Sequence, residues 1–165
     1  MTLVLGIDPG TATTGYGLVR SLDDGSLEMV AYGTILTSSK MEAHKRLLDL
    51  YKQIKDLLLL HRPDSCAVEK LFFQRNVSTA IAVGQARGVV MLAVAEAGVE
   101  VFEYTPNEVK QAVSGYGAAQ KRQVQEMVRT LLELPRIPQP DDAADALAIA
   151  ITHLNTWRYH LPLDQ

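Results

Sequence analysis

The sequence contains little cysteine, few aromatic residues and no excess of positive charge. Its single cysteine, Cys66, cannot form a disulfide within the chain, and its apolar neighbours indicate a buried structural thiol. Apolar residues never run continuously over about 18 positions, so we expect no membrane span. The first residues, MTLVLGID, include no basic leader, so we expect no signal peptide. Together these absences indicate a cytoplasmic protein.

The formal net charge of −3 argues against a nucleic-acid-binding protein, because such proteins usually carry a basic surface. The charges are unevenly distributed, however. Residues 70–95 include Lys70, Arg75 and Arg87 and no acid, and residues 109–125 also include basic residues and no acid. A local surface that meets phosphate is therefore compatible with an acidic chain.

The pattern that is present is that of one α/β domain. Apolar residues make up 47% and charged residues 21% of the chain, which is typical of a soluble globular protein. Short apolar runs bounded by turn residues predict strands at residues 3–8, 15–20, 27–36, 65–69 and 99–104. Helical spacing and capping signals predict helices at residues 41–61, 76–97, 118–134 and 141–155, with a further helix after Thr105. This order predicts a mixed sheet in a domain of residues 1–156, followed by a C-terminal tail at residues 157–165.

Four acidic residues are candidates for a catalytic metal site, because three separate elements should bring them to one edge of the sheet. Asp8 ends the first strand, and Glu69 ends the strand that follows the first long helix. If these strands are neighbours, the two carboxylates meet. Asp142 and Asp145 are three residues apart and therefore project from one face of the last helix.

Converging carboxylates repel one another, so their charge must be relieved. A pair about 4 Å apart at an effective dielectric constant of about 20 costs about 4 kcal/mol. Protonation or divalent cations could remove this cost. A set of carboxylate oxygens without cysteine suits Mg²⁺ or Mn²⁺, and two such ions can support phosphodiester hydrolysis by activating a water molecule and stabilising the leaving oxygen.

Each acid taken alone also has an ordinary structural explanation. Asp8 precedes Pro-Gly and could be a turn former, and Glu69 could form a solvated pair with Lys70. Asp142 and Asp145 could complement the dipole at the start of the last helix. Asp141 is interpreted as the cap of that helix and not as a ligand. The metal-site interpretation therefore depends on the four acids as a set.

Three motifs resemble those of RuvC-type Holliday junction resolvases, and the resemblance runs over most of the chain. The motifs are LGIDPG at residues 5–10 followed by TGYG at residues 14–17, GQARG at residues 84–88 and AADALAIAITH at residues 143–153. The resemblance implies a ribonuclease-H-like fold. In that fold three antiparallel strands and then parallel strands form a five-stranded mixed sheet with helices on both faces.

The resemblance also implies a function. The family works as a homodimer that cuts four-way DNA junctions by paired symmetric nicks in recombination and repair. The resemblance further implies branch-migration motor proteins as partners. Its four metal-binding acids fall on Asp8, Glu69, Asp142 and Asp145, with two Mg²⁺ or Mn²⁺ ions per subunit and products carrying a 5′-phosphate and a 3′-hydroxyl. Some family members have a histidine at the position of Asp142.

Further residues are candidates for contact with DNA. Phe72 and Phe73 follow Glu69, and because neighbours in an extended segment point in opposite directions, one ring could be exposed and stack on an unpaired base. The polar candidates are Arg75, Asn76, Lys110, Lys121 and Arg122. Core packing of the two rings and a solvated helix face for the basic residues are the alternatives. Two bound divalent ions would bring the formal charge from −3 to +1.

Other interpretations remain open at this point. The helix at residues 76–97 is apolar on nearly every side, which favours either complete burial or a two-fold dimer contact. The segment at residues 7–11 also resembles the phosphate loop of actin-like ATPases and sugar kinases. A junction-binding module without catalysis and a nuclease that acts on RNA are the remaining alternatives.

Overall fold

A computed structural model describes residues 1–10, 12–70 and 76–158. Its strands are β1 (Thr2–Asp8), β2 (Thr13–Ser21), β3 (Leu27–Leu36), β4 (Ser65–Glu69) and β5 (Glu100–Tyr104). Its helices are α1 (Ala43–His61), α2 (Val77–Glu96), α3 (Pro106–Ser114), α4 (Lys121–Leu131) and α5 (Asp141–Arg158). Every element expected from the sequence is present, with differences at the ends.

The five strands form one mixed sheet in the order β3-β2-β1-β4-β5. β1 pairs antiparallel with β2, and β2 pairs antiparallel with β3. β4 lies parallel to β1 on one side and to β5 on the other. The predicted sheet, with an antiparallel half and a parallel half, is confirmed, and the two strands that end in Asp8 and Glu69 are neighbours.

Helices cover both faces of the sheet because alternate strand residues supply two separate cores. Val4 and Ala67 pack on one face with residues of α5, including Leu147. On the opposite face Leu5 and Val68 belong to a core completed by α1 and α2. Residues of α3 and α4 join the core on the α5 face. This alternation places Asp8 and Glu69, two residues after Gly6 and Ala67, on the α5 face.

Helix α5 lies unusually close to β1 and β2, and glycines make the approach possible. A Cβ atom at Gly6 would lie 2.0 Å from the carbonyl oxygen of Ala146, and one at Gly15 would lie 2.0 Å from that of Asp142. Both strands therefore lack side chains where the helix backbone meets them. This close packing holds the first turns of α5 against the end of β1.

Two helix boundaries illustrate what the sequence predicts well and poorly. The predicted capping of α3 is confirmed, since the Glu108 amide donates to Thr105 Oγ1 at 3.0 Å and the Thr105 amide donates to Glu108 Oε2 at 2.6 Å. Helix α5, in contrast, continues through Arg158, beyond residue 155, where the sequence predicts its end. Trp157 packs there in an edge-on contact with Phe102, with ring centroids 5.5 Å apart.

The expectation that no segment could span a membrane needs correction for α2. By length and composition alone, this helix is long and apolar enough to cross a membrane. In the fold, 22% of its most apolar 18-residue stretch is buried. The sequence shows no continuous apolar run there, because Ser78, Thr79, Gln85 and Arg87 interrupt it. Such helices also occur in the cores of soluble proteins, and Ala86, Val90, Ala93 and Val94 of α2 are buried here.

Candidate active site

The ends of two parallel strands place the first two acids side by side. Ile7 of β1 is paired with Val68 of β4, and Asp8 and Glu69 follow them. Both side chains are partly buried. The predicted placement of these two acids at one edge of the sheet is therefore confirmed.

The first turns of α5 bring the other two acids to the same edge. Carboxylate oxygens of Asp8, Asp142 and Asp145 all lie within 4.8 Å of one another. Glu69 is not a member of this tight group, but its charge acts on Asp8. The structure thus collects all four predicted acids, three of them closely and Glu69 beside them.

Crowding and burial strongly disfavour full ionisation of the cluster. Burial is the largest cause that raises the pKa of Asp8 to about 8, and the charges of Asp145, Glu69 and Asp142 raise it further. Burial also raises the pKa of Glu69 and of Asp145. Near neutral pH the cluster consequently retains a proton unless positive charge is supplied.

Lysines supply part of that positive charge. The Nζ of Lys121, the first residue of α4, lies 3.5 Å from Asp145 Oδ2 and 3.4 Å from Asp141 Oδ2. The charges of Lys110 and Lys121 lower the pKa of Glu69, against the effect of burial. Both lysines therefore lie where they can act on the acids and on an anion that approaches them.

The donor set suits a hard divalent cation. Asp8, Asp142 and Asp145 each offer a carboxylate oxygen, and their mutual spacing is one that could hold a metal ion. Burial and the charges of Asp145, Glu69 and Asp142 raise the pKa of Asp8 to about 8, so a bound divalent cation would favour its ionised form. Mg²⁺ and Mn²⁺ favour oxygen ligands of this kind.

A cleft of about 570 Å³ opens beside the acids, between β4 and the helices α3, α4 and α5. Glu69 and Asp145 line one part of it, and Lys110 and Lys121 line another. The remaining lining is largely apolar and includes Val109. The cleft therefore offers acids, lysines and an apolar surface to a single ligand.

The remaining candidates from the sequence are placed differently. Asn76 caps α2, with its Oδ1 accepting from the amides of Ser78 and Thr79 at 3.1 and 3.4 Å. Arg122 pairs with Glu126 of its own helix at 3.4 Å. The roles of Asn76, Arg122 and Lys110 in DNA binding stay predictions. The predicted contacts of Phe72, Phe73 and Arg75 lie outside the described residues.

The interpretation of Asp141 as a helix cap requires correction. Asp141 is the first residue of α5 and not its cap, because the Pro140 carbonyl already accepts from Ala144 at 3.4 Å. Arg87, from the acid-free stretch at residues 70–95, forms an ion pair with Glu103 of β5. The sequence does not predict the ion pair between Arg87 and Glu103. Because α2 is apolar on nearly every side, the spacing of its apolar residues does not indicate which face of the helix packs on the sheet.

Gly15→Ala should disturb the site more than the fold. The new Cβ would collide with the backbone of Asp142, so either α5 or β2 must move, at a cost of about 2 kcal/mol. We expect a lower melting temperature and a larger proportional loss of metal binding, measured by thermal unfolding with and without Mn²⁺. Gly117→Ala is the matched control, since among the described residues its Cβ would meet only the Gln111 side chain, at 3.5 Å. Equal metal binding by the Gly15 variant and the unaltered protein would contradict this prediction.

Sequence relatives match nearly the whole chain. The profile of the family described as crossover junction endodeoxyribonuclease RuvC matches residues 4–153. A curated protein of that name from Syntrophomonas wolfei is 55% identical over 155 residues, which make up 94% of this chain and 90% of the relative. Another from Rubrobacter xylanophilus is 58% identical over 156 residues, 94% of this chain and 87% of the relative.

Solved structures agree with the sequence relatives. The structure described as T. thermophilus RuvC in complex with Holliday junction substrate has a TM-score of 0.88 and 38% identity, and the match covers 97% of each chain. The yeast mitochondrial Holliday junction resolvase Ydc2 is 13% identical and shares the fold, with a TM-score of 0.69 over 92% of this chain and 77% of that chain. The ribonuclease-H-like fold expected from the sequence is confirmed, and the chain belongs to the RuvC family of crossover junction endodeoxyribonucleases.

Proposed function

We propose that this endonuclease resolves four-way DNA junctions by paired symmetric nicks in recombination and repair, and that its four acids form a two-metal site. The observation that carries the proposal is the grouping of Asp8, Asp142 and Asp145 within 4.8 Å at the end of β1. The similar T. thermophilus protein is described as bound to a Holliday junction substrate, which supports the choice of DNA.

Asp8 is the central ligand of the proposed site. The charges of Asp145, Glu69 and Asp142 act on its carboxylate, so a cation held by these acids would also lie beside Asp8. Glu69, Asp142 and Asp145 would be the further ligands that hold the ions. When bound, two Mg²⁺ or Mn²⁺ ions would activate the attacking water and stabilise the leaving oxygen. The products would carry a 5′-phosphate and a 3′-hydroxyl.

The chain's own cations orient the substrate in this proposal. Lys121 lies 3.5 Å from Asp145, and Lys110 lines the same cleft, so both can hold the phosphates that flank the cleaved bond. Arg75, Asn76 and Arg122 would extend the contact along the backbone, and one ring of the pair at residues 72–73 would stack on a base. Binding should therefore weaken as the salt concentration rises.

The exposed side of α2 is the proposed dimer interface. Val77, Ile81 and Leu92 of this helix are exposed to 70%, 59% and 62% in the single chain. A second copy related by a two-fold axis would cover these apolar side chains and place two active sites opposite the two strands of a junction. We further propose a cytoplasmic location, and contact with branch-migration motor proteins in the assembled complex.

A cleavage assay tests the proposal directly. The protein is incubated with an end-labelled four-way junction in Mg²⁺ or Mn²⁺, beside linear duplex DNA and an RNA junction of the same sequence. We expect two symmetric nicks in the DNA junction, which ligase can seal because the ends are a 5′-phosphate and a 3′-hydroxyl. Binding without nicks, preferential cutting of RNA, or nucleotide turnover in place of cleavage would reject the proposal in favour of another class.

A further inference from the structure

Arg87 of α2 lies against the end of β4 on the face of the sheet that is opposite the acids. Its side chain is only 17% exposed and forms an ion pair with Glu103 of β5. Its Nε donates to the backbone carbonyl of Glu69 at 3.5 Å, and its Nη1 lies 3.4 Å from the sulfur of Met91. One guanidinium thus joins a helix and the ends of two strands.

The strand end that Arg87 touches is held from a second direction. Glu103 lies beside Val68 in the parallel pairing of β4 and β5, and Glu69 lies beside Tyr104. The Lys70 amide then donates to the Tyr104 carbonyl at 2.7 Å. The backbone of Glu69 is therefore fixed by β5 along the sheet and by Arg87 from the α2 face.

The carboxylate of Glu69 faces the other way. Val68 belongs to the core beneath α1 and α2, whereas Ala67 belongs to the core beneath α5, and strand alternation puts Glu69 with Ala67. The charges that act on the Glu69 carboxyl come from Asp145, Lys110 and Lys121, all on the α5 face. Any effect of Arg87 on this acid must consequently pass through the backbone.

We propose that Arg87 is a positioning residue for Glu69, holding the end of β4 so that this carboxylate can reach a metal ion shared with Asp8. The inference rests on the proposed role of Glu69 as a ligand. It also connects α2, the proposed dimer helix, to the active site through one hydrogen-bonded side chain. Groups that orient metal ligands from outside the site commonly change metal affinity when they are altered.

Arg87→Lys is the sharpest test. Lysine keeps the positive charge beside Glu103 but has no planar fork with which to reach Glu103 and the Glu69 carbonyl together. We expect a melting temperature close to that of the unaltered protein and Mn²⁺ binding weaker by about 10-fold or more. Binding is measured on the full-length protein without DNA, by electron paramagnetic resonance of free Mn²⁺. Unchanged Mn²⁺ affinity in this variant would overturn the proposal.

A charge exchange separates positioning from simple stabilisation. In the double variant R87E/E103R the ion pair is restored with its ends reversed, but position 87 has no donor for the Glu69 carbonyl. We expect the double variant to recover the melting temperature lost in R87E and not its Mn²⁺ affinity. Recovery of both properties together would show that Mn²⁺ affinity follows the ion pair and the stability of the fold, not the hydrogen bond to the Glu69 carbonyl, and would overturn the proposal.

Two further variants keep the result interpretable. Glu96→Gln breaks the ion pair with Lys55, at 2.7 Å, near the far end of α2, and should leave Mn²⁺ binding unchanged. Glu69→Gln tests the proposed function itself. If Glu69→Gln binds Mn²⁺ normally and cleaves junctions, the assignment of Glu69 as a ligand is wrong. If it is inactive while Arg87→Lys binds Mn²⁺ normally, only the inference about Arg87 fails.

Discussion

Replacing Asp8 by asparagine should lower junction cleavage by about 1,000-fold while junction binding persists. The carboxylate of Asp8 lies within 4.8 Å of oxygens of Asp142 and Asp145, and in the proposed site these acids would hold the metal ions together. A neutral amide would bind those ions less strongly, and a loss of about 4 kcal/mol in transition-state stabilisation corresponds to this reduction in rate. Single-turnover cleavage and a gel-shift titration of the same labelled junction measure the two properties separately.

The same substitution should make the protein more stable at pH 8 when chelator has removed divalent ions. The pKa of Asp8 is raised from 3.8 to about 8 in the folded protein, so between these values folding takes up a proton, and stability falls as the pH rises. Asparagine carries no such charge at any pH. We expect the melting temperature of Asp8→Asn to exceed that of the unaltered protein at pH 8 and to approach it at pH 4.

Asp56→Asn is a suitable control for both measurements, because Asp56 is exposed on α1 and is remote from the cluster in the fold. It should change neither cleavage nor the melting temperature appreciably. Rapid cleavage by Asp8→Asn in Mg²⁺ would show that Asp8 is dispensable. Retained cleavage would also remove the observation on which the proposed function chiefly depends.

The position of the acids could be predicted from the sequence because strand ends and helix spacing carry the information. Asp8 and Glu69 each end an apolar run, and parallel neighbours present their carboxyl ends at one edge. Asp142 and Asp145 are three residues apart on one helix, so they share a helix face whatever the length of the loop before α5. The distance between these two pairs was beyond prediction, because it depends on how closely Gly6 lets α5 approach the sheet.

The contacts made by basic residues were much harder to predict. Whether a lysine meets DNA, solvent or an acid depends on the packing of whole helices, and local pattern does not encode it. The approach of Lys121 to Asp145 requires α4 and α5 to lie side by side, which the irregular loop at residues 132–140 determines. Arg87 is a similar case. Because α2 is apolar on nearly every side, its sequence does not predict which way the one basic side chain of this helix points.

The extent of α5 shows the same limit on a smaller scale. The sequence predicts a helix that ends at Asn155 and a tail from Trp157 onward. In the fold Trp157 meets Phe102 of β5, 5.5 Å away between ring centroids, and also His153 at 5.6 Å. A long-range aromatic contact of this kind stabilises the end of the helix. The sequence of the helix alone does not predict the contact, because Phe102 lies on a separate strand.

Divalent ions should stabilise the DNA-free protein, and more strongly at pH 8 than at pH 5. At pH 5 the acid cluster holds a proton on Asp8, whose pKa is about 8, and the ion must displace it. At pH 8 much less proton displacement is needed, and the ion relieves the repulsion among the acids. With free Mn²⁺ at 100 times its dissociation constant the gain is about 2.7 kcal/mol, or about 5–10 °C in melting temperature. Thermal unfolding in Mn²⁺ and in chelator at both pH values measures the difference.

The origin of this stabilisation can be assigned with two variants. Asp145→Asn replaces one carboxylate of the cluster by a neutral amide and should lose most of the Mn²⁺-dependent shift, whereas Glu96→Gln, on α2, should retain it in full. A shift of equal size at pH 5 and pH 8 would mean that the ion does not compete with the proton on Asp8. A shift that survives in Asp145→Asn would place the ion elsewhere on the protein. Only a shift that depends both on pH and on Asp145 ties metal binding to the charge of the cluster, because repulsion among these carboxylates is what the ion removes.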